Sequence, residues 1–255
     1  LEIVDEFPLL NNGTIAFIGT DITFPRYNAI YLTDTSKTIK RISNYFQPEI
    51  WLKIFQINNG QIIWGRHFYL DDIDTVFWYK DSLNIVPPTK FRKTVPRLSN
   101  GQLAWCESKT TSPDGSKELF FYDGTNTRML TDDNISDNNA DIHNGKIAWA
   151  RDTIIAGKNR HLAIYDGTKI RLIVDTTTGL PKDVYNIKIH SGKIAFSTFG
   201  GSFGLDEAIF LYDGTSINQI TSWLSEGVGT PSYGEYAGRI PLNNGQIAFA
   251  MKKGS

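Results

Sequence analysis

A glycine-anchored hairpin signature recurs six times along the 255 residues, and that recurrence limits the fold more than any other feature. Each copy reads Asn/Ser/His, then Asn or Ser, then Gly, followed at once by x-Ile-Ala-Phe/Trp or a close variant. The copies are Asn12-Gly13 before Ile15-Ala16-Phe17, Asn59-Gly60 before Ile62-Ile63-Trp64, and Asn100-Gly101 before Leu103-Ala104-Trp105. They continue with Asn144-Gly145 before Ile147-Ala148-Trp149, Ser191-Gly192 before Ile194-Ala195-Phe196, and Asn244-Gly245 before Ile247-Ala248-Phe249. The glycines are 47, 41, 44, 47 and 53 residues apart. A second anchor, an apolar run ending in Asp, follows the first five glycines at 21, 21, 22, 21 and 21 residues, at Asp34, Asp81, Asp123, Asp166 and Asp213. A third, an Ile/Leu-Ser/Thr pair, comes seven or eight residues later at Ile42-Ser43, Leu130-Thr131 and Ile220-Thr221, with Ile173-Val174 as a variant. The second copy degenerates around Ile85-Val86-Pro87-Pro88.

Four short strands per repeat satisfy this pattern. Asn-Gly and Asp-Gly supply the positive φ of tight hairpin turns, and their flanks are β-branched and aromatic, as strands prefer. Strand A ends at the Asn-Gly turn, as in Ala140 to His143 or Asn186 to His190. Strand B is the Ile-Ala-Phe/Trp run, strand C ends at the Tyr-Asp-Gly turn, and strand D carries the Ile-Thr pair. A four-stranded antiparallel unit repeated at this length is a propeller blade. The fold class expected is therefore all-β, one β-propeller domain over residues 1–255, with repeats near 4–43, 49–86, 94–131, 140–174, 186–221 and, in part, 238–255. The chain starts in an A strand (Val4 to Leu10) and ends after a B strand (Gln246 to Met251). Six blades with an incomplete last one is the expectation, with five blades as the alternative. An incomplete blade leaves an edge open to pairing with another chain.

The order of turn, Ile-Ala-Phe/Trp, variable loop, Ile-Tyr-x-x-Asp-Gly and Leu-Thr resembles the TolB-type (WD40-like) bacterial propeller repeat over nearly the whole chain. The family turn is usually Ser-Pro-Asp-Gly; here it is Asn-Asn-Gly or a relative, a variant similar to repeats in secreted bacterial proteins, including large cyanobacterial ones. The resemblance implies a propeller fold and an extracellular or periplasmic location. It implies no single activity, because such propellers host many unrelated functions.

The formal net charge of −1 creates no field that would draw the chain to nucleic acid or to an anionic membrane. No apolar run approaches the 18 or so residues of a membrane-spanning helix, so membrane insertion is not expected. With one cysteine, Cys106, no intrachain disulfide forms. The sequence begins at Leu1 and not at Met, as a mature or trimmed product would. There is no phosphate-binding loop and no dinucleotide fingerprint, and Gly200-Gly201-Ser202-Phe203-Gly204 reads as a flexible loop that leads into a strand and not a helix, so no cofactor is expected.

On a propeller the A–B and C–D turns share one face, and the B–C and D–A loops share the other, around the channel mouth. The first set is short and uniform. The second varies, and loops on a rigid scaffold usually carry function. Its B–C members read as Thr20–Asn28, Arg66–Thr75, Glu107–Lys117, Arg151–Arg160 and Thr198–Glu207. Its D–A members read as Asn44–Glu49, Pro87–Thr94, Asp132–Asn139, Asp175–Tyr185 and Ser222–Gly238. In the longest of them Trp223, Tyr233 and Tyr236 accompany Glu226 and Glu235. Aromatic faces with carboxylates suit a sugar ring; the same residues also suit a lid packed on itself. Tyr45, Phe46 and Trp51 share that ambiguity.

Arg66, His67, Tyr69, Asp71, Asp72 and Asp74 form the most polar B–C loop, able to hold an acid or base, or simply solvated. Trp64, Trp105 and Trp149 share one repeat position with Phe17, Phe196 and Phe249 and read as core between sheets. His143 and His190 read as turn formers, and His161 as an unremarkable residue at the start of a C strand. The four histidines show no ligand spacing. Asp132 to Asn139 is oxygen-rich but lacks the glycine hinge and bidentate glutamate of a calcium loop.

The expected function is noncatalytic binding or scaffolding, recognising a glycan or protein through the B–C/D–A face. The alternative is a propeller glycoside hydrolase or lyase, which needs two carboxylates at a set separation. Its candidates are Glu107, Asp132, Asp206, Glu226 and Glu235, with Asp5, Glu6, Glu49 and Asp141 near the starts of A strands.

Overall fold

The computed structural model describes residues 2–3, 8–20, 27–44, 51–67, 73–80, 83–85, 94, 96–108, 116–152, 160–173, 183–200, 206–221, 242–243 and 246–247. All the regular structure in them is β. The first sheet holds β1 (Glu2–Ile3) and β2 (Leu9–Asn11), both paired to β3 (Thr14–Thr20), then β4 (Asn28–Thr33) and β5 (Ile39–Arg41). The second is β6 (Trp51–Asn58), β7 (Gln61–His67), β8 (Ile73–Tyr79) and β9 (Leu83–Ile85). The third is β10 (Arg97–Ser99), β11 (Gln102–Ser108), β12 (Lys117–Tyr122) and β13 (Thr127–Met129). The fourth is β14 (Asp137–His143), β15 (Lys146–Asp152), β16 (Arg160–Tyr165) and β17 (Ile170–Leu172). The fifth is β18 (Val184–His190), β19 (Lys193–Gly200), β20 (Asp206–Tyr212) and β21 (Ile217–Gln219). A hairpin of β22 (Leu242–Asn243) and β23 (Gln246–Ile247) follows. In the first sheet β1 and β2 pair along the same β3, and in the other four the strand order is sequence order, so these are five antiparallel blades of A–B–C–D form. Contacts divide the chain into two compact units, Leu1–Gly115 with Phe120–Arg128, and Ser116–Leu119 with Met129–Ser255.

The first five A–B turns have both central residues left-handed, with φ of 47° to 51° at the Asn or Ser and 72° to 81° at the Gly. This is the two-residue turn whose twist matches paired strands. The A strands run longer than the sequence reading had them, beginning at Asp137 and Val184 and not at Ala140 and Asn186. A β-bulge in each explains the difference. Pairing shifts by one residue between Asn138 and Asp141 and between Tyr185 and Lys188, with Asn139 and Asn186 left-handed. The same shift lies between Ile54 and Gln56 in the second blade.

At the C–D turns the anchor carboxylate does the work. Asp213 Oδ1 accepts the Thr215 and Ser216 N–H groups, both at 2.8 Å, and Tyr212 donates its hydroxyl to Gly214 O at 2.6 Å. Asp123 and Asp166 repeat the arrangement. The Ile-Thr pair lies just past strand D and not within it. The first residue continues the ladder, Ile220 N–H to Ile209 O at 2.8 Å. The second then turns its hydroxyl inward, where Thr221 Oγ1 accepts the Ile209 N–H at 3.0 Å. Ser43 and Thr131 clasp Ile30 and Leu119 in the same way. In these three blades a short strand D thus still leaves the strand C N–H beyond it with an acceptor.

Side-chain alternation feeds two cores from each B strand. In the first unit Ile62 and Trp64 pack with Ala16, Ile30 and Leu32 of the first blade, while Ile63 between them packs with Leu98, Leu103 and Trp105 of the third. In the second unit Ala148, Ala150, Leu162 and Ile164 pack on Val184, Ile189, Phe196 and Phe210. Trp64, Trp105, Trp149, Phe196 and Phe17 are buried as expected; Phe249 lies outside the described residues. The B-strand ring stacks on a C-strand ring in Phe17–Tyr31, Trp64–Phe77, Trp105–Phe120 and Phe196–Phe210, with centroids 5.6 to 5.7 Å apart. Trp149 is the exception and faces Ala163.

Polar bonds join neighbouring blades at the A–B turns. Asn11 Oδ1 accepts the Asn59 N–H at 2.9 Å, and Asn58 Oδ1 accepts the Asn100 N–H at 3.2 Å. Asn12 donates to Asn59 Oδ1 at 2.6 Å, and Asn59 donates in turn to Asn100 Oδ1 at 2.9 Å. In the second unit His143 Nδ1 takes the Ser191 N–H at 3.1 Å. Two residues upstream, Gln56 exchanges two bonds of 2.9 Å with the Leu98 backbone, and Asp141 Oδ2 takes the Ile189 N–H at 2.9 Å.

Two outcomes follow from the clasps and turns. Thr221→Val leaves the buried Ile209 N–H without its acceptor and lowers the unfolding free energy by about 1–3 kcal/mol, whereas Thr221→Ser retains most of it. Urea denaturation measures this, and a Val variant as stable as the native chain would contradict the clasp. The carboxyl of Asp213 is held below the ordinary 3.8, chiefly by the Ser216 and Thr215 N–H groups. Folding depresses this pKa, so the contribution is present above the unfolded value of about 3.8 and is lost as pH falls through the folded one. Asp213→Asn therefore flattens the acid limb of a pH series of thermal midpoints; an unchanged limb argues against charged turn anchors.

Candidate functional site

The residues singled out in the sequence separate into two groups. Tyr69, Trp223, Glu226, Tyr233, Glu235 and Tyr236 lie outside the described residues, as do Asp71, Asp72, Tyr45 and Phe46. Arg66 and His67 are described, but as strand and not as loop. They close β7, with Arg66 opposite Leu52 and Thr75, and His67 opposite Trp51 and Ile73. Every B strand runs into what reads as loop, through Thr20, His67, Ser108, Asp152 and Gly200. Backbone pairing continues for as long as a partner strand is present, whatever the polarity of the side chains.

In the second unit this end of the blades gathers a charged network that sequence reasoning missed. Asp137 opens β14 and pairs across the hairpin with Arg151 near the end of β15. Its side chain is fully buried, and both oxygens are used. Oδ1 accepts Trp149 Nε1 at 2.7 Å and Arg151 at 3.1 Å, while Oδ2 accepts the Thr131 hydroxyl at 2.6 Å and Arg151 at 3.2 Å. The guanidinium, 13% exposed, reaches Asp133 with its other nitrogen. Asp133 also takes the Ile135 N–H at 2.9 Å, and its own N–H meets Glu118 Oε1 at 3.2 Å. Burial pushes the Asp137 carboxyl up to about 6, against the Thr131 hydroxyl, Arg151 and Trp149, with Glu118 adding to the rise.

Asp137 is thus ionised at neutral pH and enclosed by donors. It anchors the D–A connection to the end of strand B and does not present a free base. The oxygen-rich stretch from Asp132 to Asn139 turns two of its carboxylates to a guanidinium, which occupies the place a cation would take. No group of three or more metal-ligating side chains occurs among the described residues. The sequence carries a Trp four residues past the turn glycine and an Arg two further on, but their meeting with Asp137 depends on the register shift after Asn138.

Beside this network Asp152 pairs with Arg160 at 3.2 Å across β15 and β16, and the Arg160 guanidinium lies 4.9 Å from the Tyr185 ring centroid. Both charged side chains are about one-third exposed (31% and 36%). Among the acids considered for hydrolysis, Glu107 is buried and accepts Trp105 Nε1 at 3.1 Å. Asp141 is bonded to the Ile189 N–H and lies 3.5 Å from Lys188 Nζ. Asp5, Glu6, Glu49, Glu226 and Glu235 lie outside the described residues.

The histidines also differ from expectation. The left-handed turn positions are Asn144 and Ser191, and His143 and His190 are the strand residues before them. His143 serves the next blade as an acceptor. His161 is buried in β16, opposite Arg151.

No protein-family profile matches this chain, and no curated protein matches its sequence. Its structure is similar to known ones. Acylaminoacyl peptidase from Pyrococcus horikoshii superposes with a TM-score of 0.57 at 13% identity, over 86% of this chain and 38% of that one. The chain thus spans under two fifths of that peptidase. The β-propeller domain of the Trilobed protease from Pyrococcus furiosus gives 0.51 at 12% identity, over 86% of this chain and 82% of the domain. TolB from Acinetobacter baumannii gives 0.48 at 12% identity, over 83% and 52%. At such identities the first two likenesses speak to architecture alone, and with the five four-stranded sheets they make this chain a β-propeller.

Proposed function

We propose that the chain is a noncatalytic recognition module that binds a glycan or a protein through the end bearing its B–C and D–A connections. The asymmetry between the two ends carries this reading. At the A–B and C–D end the polar groups are already used: Asn11, Asn58 and His143 hold the next blade, and Asp123, Asp166 and Asp213 hold their own turns. Those turns are too short and too alike to shape a distinctive surface.

The opposite end supplies variety. The connection from Gln219 to Leu242 is the longest of its kind, followed by those from Ile85 to Arg97 and from Leu172 to Val184, and it carries Trp223, Tyr233 and Tyr236 with Glu226 and Glu235. In the second unit the Asp137–Arg151 network anchors the connection from Thr131 to Asp137. The Arg160–Tyr185 pair with Asp152 adds a partly exposed polar and aromatic patch. A TolB-type membership and an extracellular or periplasmic setting belong to the same reading, on the repeat signature alone.

The test is a glycan-array and proteome pull-down screen with the full chain, with and without calcium, followed by variants against whatever is captured. Trp223→Ala and Tyr236→Ala weaken binding by about tenfold, as loss of an aromatic contact of about 1.5 kcal/mol implies, and leave the unfolding midpoint unchanged. If both bind normally while substitutions at the Asn-Gly turns abolish capture, recognition lies on the other end. If both unfold the chain, the long connection is a structural plug.

A further inference from the structure

The junction between the fourth and fifth blades differs from those of the first unit in the chemistry of one acceptor. At Asn11 and Asn58 the next turn's N–H meets a carboxamide oxygen, which accepts at any ordinary pH. At the same repeat position the fourth blade places His143, whose Nδ1 takes the Ser191 N–H at 3.1 Å. An imidazole nitrogen accepts only while it carries no proton, so His143 is neutral here with its proton on Nε2. With the Nδ1 lone pair engaged and Nε2 protonated, the ring is not set up to hold a metal. The His190 ring packs against it with centroids 4.1 Å apart, and His190 Nδ1 is 3.2 Å from Ser191 Oγ.

The charged and titratable groups around His143 do little to welcome a proton. On its own strand Asp141 already accepts the Ile189 N–H at 2.9 Å and lies 3.5 Å from Lys188 Nζ. From β18 come Lys188 and His190. From the start of β15, Lys146 extends its ammonium to the Gly192 turn. Burial, and then His190, hold His143 below its ordinary value, with Asp141 opposing.

We propose that this junction is an acid-sensitive joint: protonation of His143 withdraws the acceptor from the Ser191 N–H, sets a cation against the His190 ring, and loosens the fourth blade from the fifth. The sign follows from the depressed pKa. The contribution is complete above the unfolded value of about 6.5 and is lost as pH falls through the folded one. The carboxamide-held turns of the first unit have no such dependence.

The joint is tested by amide exchange on the full chain, read residue by residue by NMR and corrected for intrinsic rates, between about pH 7.5 and about pH 5. Ser191 loses protection by about tenfold or more relative to Asn59 and Asn100, and His143→Asn, which installs the acceptor found at Asn11 and Asn58, removes the difference. Ring 15N shifts at neutral pH show the Nε2–H tautomer of His143. Parallel behaviour of the three amides, or an Nδ1–H tautomer, overturns the proposal. Should His143→Asn fail to fold, the comparison within the native chain decides alone.

Discussion

In a two-residue hairpin turn the first turn N–H points away from its own strands and would ordinarily face water. Here, at Asn59, Asn100 and Ser191, it points into a side chain of the preceding blade. This bond sets the spacing of neighbouring blades, because the acceptor is the last residue of one A strand and the donor is the first turn residue of the next. It also explains why polar residues end the A strands. Asn11, Asn58 and His143 share the position, and each has an acceptor atom at the right reach. Gln56 and Asp141 add a second contact two residues upstream, to the backbone of the following blade. Repeat folds hold together through such neighbour contacts, with no long-range wiring needed.

The hydrophobic core relies on that spacing. Alternate residues of a B strand face opposite neighbours, so each blade is pressed from two sides, as Trp64 and Ile63 are. The aromatic position also brings polar consequences. Of the three B-strand tryptophans, Trp149 and Trp105 give their indole N–H groups to Asp137 and Glu107. A buried carboxylate in turn needs compensation, which Arg151 and Thr131 give Asp137. One choice of core residue thus propagates to the charged network at the end of the blade.

The turns, the strand order and the aromatic core were legible in the sequence, because Asn-Gly spacing and period-two alternation are local signals. The Asp137–Arg151 pair was not. Counting outward symmetrically from Asn144-Gly145 pairs Asp137 with Asp152, and only the bulge after Asn138 moves the register to Arg151. Bulges arise from backbone conformation at residues such as Asn139, and composition does not announce them. The loops were read too long for a related reason: Arg66, His67, Arg151 and Asp152 look like loop residues but continue a ladder whose length is set by the partner strand. The Ser/Thr of the third anchor was seen as a strand residue, when its hydroxyl ends the strand. The roles given to Trp223, Tyr236 and their neighbours still rest on sequence.

The proposed recognition at one end of the blades rests on what the other end is occupied with, so the turn bond is the point at which that proposal is most exposed. Its most direct measurement is native-state amide exchange of Asn100 in the full chain carrying Asn58→Ala. The account predicts that the Asn100 amide exchanges about tenfold faster or more than in the native chain, as loss of a bond worth about 1.5 kcal/mol implies, while Asn59, held by Asn11, keeps its rate. An Asn100 amide that exchanges equally fast in both chains would show that the blades are not joined through their turns.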